Sequence, residues 1–259
     1  MLIDLKEKVA IITGVARGIG KEIFLMLANE GVKTVGLDRN AADITALESE
    51  IARKNWDYKT VVCDIRNSEE IAKAVQDTLE HYGRIDILVN NAGISGDGLI
   101  ENLPENEWDF CHEVNLKGTF LMCKAVIPTM KKQKFGRIIN AASFAAIIPS
   151  IGSAAYASAK AGVVQFTRVL AGELGPWNIT VNSYAPGMIP STLNHFKELP
   201  DERQNQLLDT LTIRRWGEEK DIANLICFLA SDAASYITGT LIDCSGGKYA
   251  TQFPSVAYT

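Results

Sequence analysis

A tyrosine and a lysine at helical spacing, preceded by a serine, could carry out chemistry in this sequence. Tyr156 and Lys160 are four residues apart, and Ser143 lies thirteen residues before the tyrosine. Free tyrosine has a pKa of roughly 10, and a neighbouring lysine cation lowers that pKa by stabilising tyrosinate. Such a tyrosine exchanges a proton with an alcohol or carbonyl oxygen that the serine can hydrogen-bond. The spacing predicts acid–base chemistry, although a surface Tyr–Lys pair has the same spacing.

A glycine-rich turn predicts a nucleotide site near the amino terminus. The segment Thr13–Gly20 follows an apolar run and precedes a helical pattern. Glycines let backbone N–H groups approach a pyrophosphate, and a helix N-terminus favours an anion. Its Gly-x-x-x-Gly-x-Gly spacing differs from the general dinucleotide fingerprint, so an ordinary strand-to-helix turn is the alternative. The candidate contacts are Gly14, Arg17, Gly18, Ile19 and Gly20.

Asp38 ends the predicted second strand and bears on the choice of cofactor. An acid at this position can accept both ribose hydroxyls of NAD and repels the 2′-phosphate of NADP. We therefore predict NAD. NADP stays possible because Arg17 or Arg39 could pair with a 2′-phosphate. Asp38 could alternatively cap the following helix.

Two further strand ends supply candidate contacts to the same cofactor. Asp64 and Ile65, at the end of the third predicted strand, could flank an adenine. Asn91, Ala92 and Gly93 follow the fourth predicted strand. Their small size lets the backbone lie close to a cofactor.

Short apolar runs alternate with helical patterns along the whole chain. This alternation predicts an α/β fold: a single-domain, Rossmann-like, doubly wound parallel sheet of about seven strands with helices on both faces. The predicted strands are Val9–Thr13, Thr34–Asp38, Thr60–Asp64, Ile87–Asn90, Arg137–Ala141, Thr180–Ala185 and Leu241–Cys244. The predicted helices are Ile19–Asn29, Ala41–Lys54, Ser68–Tyr82, Glu105–Lys132, Ala155–Leu174 and Lys220–Ala230, with a kink at Pro128.

Bulk composition narrows the class of protein. The 259 residues are 47% hydrophobic and carry a net charge of −5 without a large basic cluster, which disfavours nucleic-acid and membrane-surface roles. No apolar stretch reaches membrane-spanning length. Five cysteines without a CxxC pair predict a reducing compartment, and charges near the amino terminus do not fit a signal peptide. We expect a cytoplasmic protein without a metal site.

The motifs together resemble those of the short-chain dehydrogenase/reductase family. The resemblance covers essentially the whole chain, from Lys8-Val9-Ala10 to Gly246-Gly247. It implies that Tyr156 is the acid–base group and that Lys160 tunes it and binds the nicotinamide ribose. It also implies that Ser143 positions the substrate and that Asn115 steadies a water in a proton relay. Without the resemblance, Asn115 could equally be a polar contact inside a helix.

The same resemblance concerns the segment after the sixth predicted strand. Pro186–Ile189 resembles a stretch that cradles nicotinamide, with the Ile189 backbone against the carboxamide. Pro186, Gly187, Ile189 and Thr192 are the candidate contacts here. The irregular region at about 187–217 is expected to form a substrate lid. Its His195 and Lys197 could meet a polar or anionic group or face solvent.

The sequence gives less information about the oligomeric state and the carboxyl-terminal tail than about the cofactor and catalytic residues. The resemblance implies a homotetramer built on the helices Glu105–Lys132 and Ala155–Leu174, although their apolar residues also fit burial within one subunit. Ser245 stands where the family has an aspartate before its final Gly-Gly. The tail Thr251–Thr259 could reach a neighbouring subunit or be disordered.

Three functions follow from these features. The first is an NAD-dependent oxidoreductase acting on a secondary alcohol or ketone, such as a polyol, sugar, hydroxy acid or cyclic alcohol. The second is an NADPH-dependent 3-oxoacyl carrier-protein reductase, which the chain also resembles. Asp38 and the acidic stretch Ser95–Asn102 argue against it, because carrier-protein docking favours a basic patch. The third is a non-catalytic nucleotide sensor, which need not keep all four catalytic positions.

Overall fold

Seven parallel strands form one sheet in the part of the chain that a computed structural model describes, residues 3–191, 194, 196–248 and 250–258. Their order is β3-β2-β1-β4-β5-β6-β7. Their bounds are β1 Val9–Thr13, β2 Lys33–Asp38, β3 Tyr58–Val62, β4 Ile87–Asn90, β5 Gly136–Ala141, β6 Ile179–Pro186 and β7 Leu241–Cys244. The predicted fold class is confirmed.

Helices cover both faces of this sheet. Helices α1, α2 and α8 contribute to one hydrophobic core, and α3, α5 and α6 contribute to the other. The bounds are α1 Gly18–Asn29, α2 Ala41–Ile51, α3 Ser68–Tyr82, α4 Glu105–His112, α5 Gly118–Gln133, α6 Ala154–Leu174, α7 Asp201–Leu208 and α8 Glu219–Ala230. The direction of winding reverses between β1 and β4, and ligands of such sheets bind beyond the carboxyl ends of the strands at this reversal.

Strand β3 and helix α2 differ from their predicted bounds by two or three residues, because tertiary contacts decide where an element ends. Strand β3 is shifted two residues toward the amino terminus, since the end of β2, Asp38, pairs with Val62. Helix α2 stops at the buried Ile51 rather than at Lys54, because the residues that follow it are exposed and make no core contact.

A π-turn divides the single helix predicted over Glu105–Lys132. It spans Glu113–Lys117 between α4 and α5, and α5 is continuous through Pro128. From this turn, the side-chain amide of Asn115 donates to the carbonyl of Cys111 on α4 at 2.9 Å. Such single π-turns are frequent at functional sites, because the extra residue redirects one side chain.

The irregular region after β6 folds against the carboxyl-terminal tail. Within it, the ring of Phe196 stacks on Trp216 with centroids 5.4 Å apart. The Tyr258 hydroxyl donates to the Thr212 carbonyl at 2.8 Å. The described part of the tail thus contacts its own chain. No described helix is long and apolar enough to cross a membrane, and no described cluster of His, Cys, Asp and Glu could hold a metal ion.

Candidate active site

A cavity of about 280 Å³ lies at the carboxyl ends of the central strands. It brings together most of the residues predicted to contact a cofactor, although they come from six separate segments of the chain. The predicted residues that line it are Gly14, Arg17, Gly18, Ile19, Gly20, Asp38, Asp64, Ile65, Asn91, Ala92, Gly93, Tyr156, Lys160 and Pro186.

The glycine-rich turn has the shape that a dinucleotide needs. Gly14 has a φ of +73°, and a Cβ on it would lie 2.9 Å from the Ala92 Cα. A Cβ on Gly20 would lie 2.0 Å from the Gly14 carbonyl oxygen. Gly18 has a φ of +55° and nothing within 4 Å of its Cβ position. The close packing at Gly14 and Gly20 and the open space at Gly18 fit a pyrophosphate at the N-terminus of α1.

Asp38 is held at the cavity edge by two backbone amides. Its Oδ2 accepts from Ala16 N–H and its Oδ1 accepts from Asn40 N–H, each at 3.1 Å. Helix α2 is capped by the side chain of Asn40, which accepts from Ala42 and Asp43 N–H. The alternative that Asp38 caps this helix is therefore wrong. The Asp38 carboxylate is thus fixed in the lining of the cavity.

Two other charged groups at this end have protein partners. The Arg66 guanidinium holds the Asp64 carboxylate, with Nη2 and Oδ2 2.6 Å apart. This hydrogen bond holds the pKa of Asp64 below its usual range. The guanidinium of Arg39 lies 5.9 Å from the Phe110 ring centroid, and that of Arg66 lies 4.8 Å from it. Both arginines thus contact one aromatic ring beside the cleft.

The two predicted acid–base residues lie on helix α6, next to the end of β5. Tyr156 is hydrogen-bonded by the side chain of Ser143. Burial raises the pKa of Tyr156, and the hydrogen bond from Ser143 opposes that rise. The lowering of its pKa predicted from the neighbouring lysine is thus opposed by desolvation, because burial penalises tyrosinate.

Lys160 is anchored beneath the tyrosine. Its Nζ donates to the Ala141 carbonyl at 2.8 Å and lies 5.7 Å from the centroid of the Tyr156 ring. Burial lowers the pKa of Lys160 to about 8. The hydrogen bond to the Ala141 carbonyl, at the end of β5, therefore fixes the position of the Lys160 ammonium. With a pKa of about 8, its charge changes with pH near neutrality.

Asn115, on the π-turn, contacts the segment after β4 that Lys160 also approaches. Its Nδ2 donates to the Ile94 carbonyl at 2.9 Å, and its Oδ1 accepts from Ile94 N–H at 3.3 Å. A Cβ on Gly93 would lie 2.7 Å from Asn115 Oδ1 and 3.3 Å from Lys160 Nζ. Asn115 and Lys160 therefore flank Gly93, one on the π-turn and one on α6.

The segment after β6 is only partly at the cavity. Gly187 packs against Ser245, because a Cβ on Gly187 would lie 2.4 Å from the Ser245 Cα. The Ile189 N–H donates to the Gly187 carbonyl at 3.0 Å, and the Ile189 side chain is buried in the core. Thr192, another predicted contact, lies outside the described residues, as does His195.

Some residues at the site escaped the sequence analysis. Tyr184 lines the cavity but lies inside a strand predicted only as core. Cys111 accepts a hydrogen bond from Asn115 Nδ2 at its Sγ, 3.3 Å away. Cys111 lies four residues before Asn115, and residues at this spacing share one face of a helix. This spacing is the sequence signal that could have indicated the contact. The remaining unpredicted lining residues include Ala16, Asn40 and Ser191.

Fold and site together define a nicotinamide-nucleotide oxidoreductase on a doubly wound sheet. The comparisons with known proteins agree. The short chain dehydrogenase family model matches residues 8–202. The chain belongs to the short-chain dehydrogenase/reductase family, whose members are enzymes that use nicotinamide cofactors on small molecules.

Several relatives match over nearly their full length. The 3-oxoacyl-acyl-carrier-protein reductase FabG of Staphylococcus epidermidis is 39% identical over 244 residues, 94% of this chain and 99% of that protein. The hydroxy(phenyl)methylsuccinyl-CoA dehydrogenase subunit BbsD of Thauera aromatica is 42% identical, over 94% of this chain and 97% of that protein. Levodione reductase matches in structure with a TM-score of 0.90 at 32% identity, over 95% of this chain and 99% of that one.

Proposed function

We propose that this enzyme transfers a hydride between NAD and a secondary alcohol or its ketone. The choice of NAD is supported by the Asp38 carboxylate, which the Ala16 and Asn40 amides fix in the lining of the cleft. A fixed carboxylate can accept ribose hydroxyls and repels a 2′-phosphate. Polyols, sugars, hydroxy acids and cyclic alcohols are the candidate substrates.

In this proposal the four polar residues act on one substrate oxygen. During oxidation Tyr156 takes the hydroxyl proton while hydride leaves the carbon, and during reduction it returns that proton. Ser143 hydrogen-bonds the same oxygen and the tyrosine. Lys160 supplies positive charge, and Asn115 continues the polar chain toward a water. A bound nicotinamide supplies the hydride chemistry.

The second candidate is an NADPH-dependent 3-oxoacyl carrier-protein reductase. Relatives of that name favour it, and BbsD, whose name also describes an acyl thioester substrate, favours a thioester. Arg17 and Arg39 line the cleft and could hold a 2′-phosphate. Against it stand the Asp38 carboxylate and the acidic stretch Ser95–Asn102, where Asp97 is exposed.

We further propose a lid at 187–217 that closes over the substrate, and a homotetramer built on α4, α5 and α6. A shallow surface depression lies on these helices, with Phe120 and Phe166 in its lining. Phe120 and Val169 are largely exposed, which fits a covered face in an oligomer. Five cysteines, all described and unpaired, fit a reducing compartment, the cytoplasm.

The function is tested by following reduced-nicotinamide absorbance, with NAD and NADP supplied separately for the alcohols and NADH and NADPH supplied separately for the ketone acetoacetyl-CoA. The substrates are a panel of polyols, sugars, hydroxy acids, cyclic alcohols and acetoacetyl-CoA. Turnover with NAD on an alcohol class supports the proposal. Turnover confined to NADPH and the thioester replaces it with the second candidate.

A further inference from the structure

The ring of Phe110, on helix α4, contacts two arginines that follow the carboxyl ends of neighbouring strands. The guanidinium of Arg66 lies 4.8 Å from the ring centroid, and that of Arg39 lies 5.9 Å from it. Arg39 directly follows β2, and Arg66 lies four residues after the end of β3. The three side chains therefore meet because the fold brings α4 to this edge of the sheet.

Arg66 is held in place by charged partners as well as by the ring. Its Nη2 lies 2.6 Å from Asp64 Oδ2, and its Nε donates to the two Asp64 oxygens at 3.1 and 3.0 Å. Its Nη1 lies 3.7 Å from Glu113 Oε2. A planar guanidinium can bond a carboxylate at its edge and stack on an aromatic ring with its face. These contacts restrain Arg66 against the Phe110 ring.

Arg39 depends more strongly on the ring for its position. Its side chain is exposed and lines the cavity, and its guanidinium forms no hydrogen bond or ion pair with a residue that the structure describes. A long exposed side chain samples many rotamers unless a contact restrains it. A cation within about 6 Å of a ring centroid is attracted to the ring, so Phe110 supplies such a restraint.

The position of Arg39 in the cavity bears on the adenine of a dinucleotide cofactor. The N-terminus of α1 fits the pyrophosphate, and Tyr156 and Lys160 mark the end of the cavity where nicotinamide would react. A dinucleotide bound in this way would extend its other nucleoside toward the ends of β2 and β3, where Arg39 lines the cavity. A guanidinium can stack on the π face of a base there.

We propose that Phe110 is a positioning residue of the cofactor site, and that its ring holds the Arg39 guanidinium where it stacks on the adenine of the bound dinucleotide. The inference goes beyond the proposed function, because it needs the nicotinamide cofactor of the family but neither the choice of NAD nor a class of alcohol. In this role Arg39 contacts the base, so its loss weakens the binding of NAD and NADP alike.

The test measures binding without turnover, and its probe is ADP-ribose, which carries the adenine and lacks the nicotinamide. Phe110→Leu keeps an apolar side chain and removes the ring. We expect the Kd of ADP-ribose, measured by calorimetry, to rise at least about threefold, and the Kd of NADH to rise by the same factor. Phe110→Tyr keeps the ring and should restore most of the affinity.

A double-mutant cycle tests whether the ring acts through Arg39. Arg39→Met alone should raise the Kd of ADP-ribose at least about threefold, and adding Phe110→Leu to it should raise the Kd by less than about twofold more. Trp177→Leu is the matched control, because Lys131 Nζ lies 5.4 Å from the Trp177 ring centroid at the opposite, amino-terminal edge of the sheet. This control should bind ADP-ribose as the wild type does.

Three outcomes overturn the inference. The first is an unchanged Kd of ADP-ribose in Phe110→Leu or in Arg39→Met. The second is a loss in Phe110→Leu that persists undiminished in the Arg39→Met background, because the ring would then act through Arg66 and Asp64. The third is a loss confined to 2′-phospho-ADP-ribose, because Arg39 would then serve the phosphate. Thermal unfolding shows whether each variant is folded, and Arg39→Met, an exposed position, keeps the inference testable if Phe110→Leu unfolds.

The same measurement separates this inference from the proposed chemistry, because ADP-ribose binds without hydride transfer. If both variants weaken ADP-ribose as expected while the wild type oxidises no alcohol, the proposed function fails and the role of Phe110 stands. If alcohols are oxidised with NAD but neither variant changes the Kd of ADP-ribose, the proposed function stands and the role of Phe110 fails.

Discussion

The Tyr184 hydroxyl donates a hydrogen bond to Asn91 Oδ1 at 3.1 Å, joining strand β6 to the end of β4 beneath the cofactor cleft. This bond orients the amide, so that Asn91 Nδ2 donates to the carbonyls of Thr13 and Gly14 at 3.2 and 3.3 Å. A residue buried in the sheet thereby positions the glycine-rich turn.

Tyr184→Phe should therefore weaken cofactor binding through Asn91. A buried acceptor left unsatisfied costs about 1–3 kcal/mol, so we expect the Kd for NADH to rise by about five- to tenfold with a small change in kcat. Fluorescence titration of NADH measures the Kd. Tyr236→Phe is the control, because Tyr236 is fully exposed. Equal affinities for NADH in the two variants would show that the Tyr184 hydroxyl is not required to orient the Asn91 amide.

Asp38→Ser should move cofactor preference toward NADP. Removing the carboxylate removes its repulsion of a 2′-phosphate, and we expect the NADP-to-NAD ratio of kcat/KM to rise by at least about tenfold. Asp43→Ser removes an equal charge from another lining residue and should leave the ratio nearly unchanged. An unchanged ratio in Asp38→Ser would assign selection to Arg17 and Arg39.

Tyr156→Phe should remove the acid–base step while keeping the cofactor site. General acid–base groups contribute about 10²- to 10⁴-fold, and we expect a loss of kcat in this range with NADH affinity nearly unchanged. Steady-state rates and NADH titration on the same sample measure both quantities. A variant that keeps most of its turnover contradicts the assignment of Tyr156.

Lys160→Met should change how stability depends on pH. The folded-state pKa of Lys160 is lowered to about 8 from 10.5, so folding releases a proton between these values. Relative to Lys160→Met, the wild type should gain stability as pH rises through this window, by at most about 1.4 kcal/mol per pH unit. The gain is complete above 10.5 and is lost as pH falls through about 8.

Urea unfolding of both proteins at about pH 7 and about pH 9.5, at one fixed protein concentration, measures this difference. The comparison with Lys160→Met cancels the titration of other groups. A difference that stays constant between the two pH values would mean that the lysine titrates as it does in the unfolded chain.

Gly93→Ala should disrupt the site without unfolding the protein. The new Cβ would lie 2.7 Å from Asn115 Oδ1, which hydrogen bonds hold in place. Overpacking of this kind costs about 1–3 kcal/mol, and we expect kcat/KM to fall at least about tenfold. Gly172→Ala is the control, because nothing lies within 4 Å of its Cβ position on α6. Near-normal activity of Gly93→Ala would show that Asn115 can move freely.

Much of the fold could be predicted because it depends on local patterns. Apolar runs and helical periodicity predicted seven strands and most helices, with differences where a pairing partner or a core contact ends an element. The strand ends that form the cleft, including Asp38 and Gly93, could be located because the carboxyl ends of parallel strands share one edge.

The sequence by itself determined the strand–helix alternation, the glycine positions with positive φ and the identity of the polar groups, because these depend on short-range pattern and backbone geometry. Only the tertiary structure decided the π-turn at Asn115, the bond between Tyr184 and Asn91 and the position of Arg39 against Phe110. The last two contacts join residues about 70 or more positions apart. Such contacts arise from packing of the complete sheet, and no local pattern in the chain encodes them.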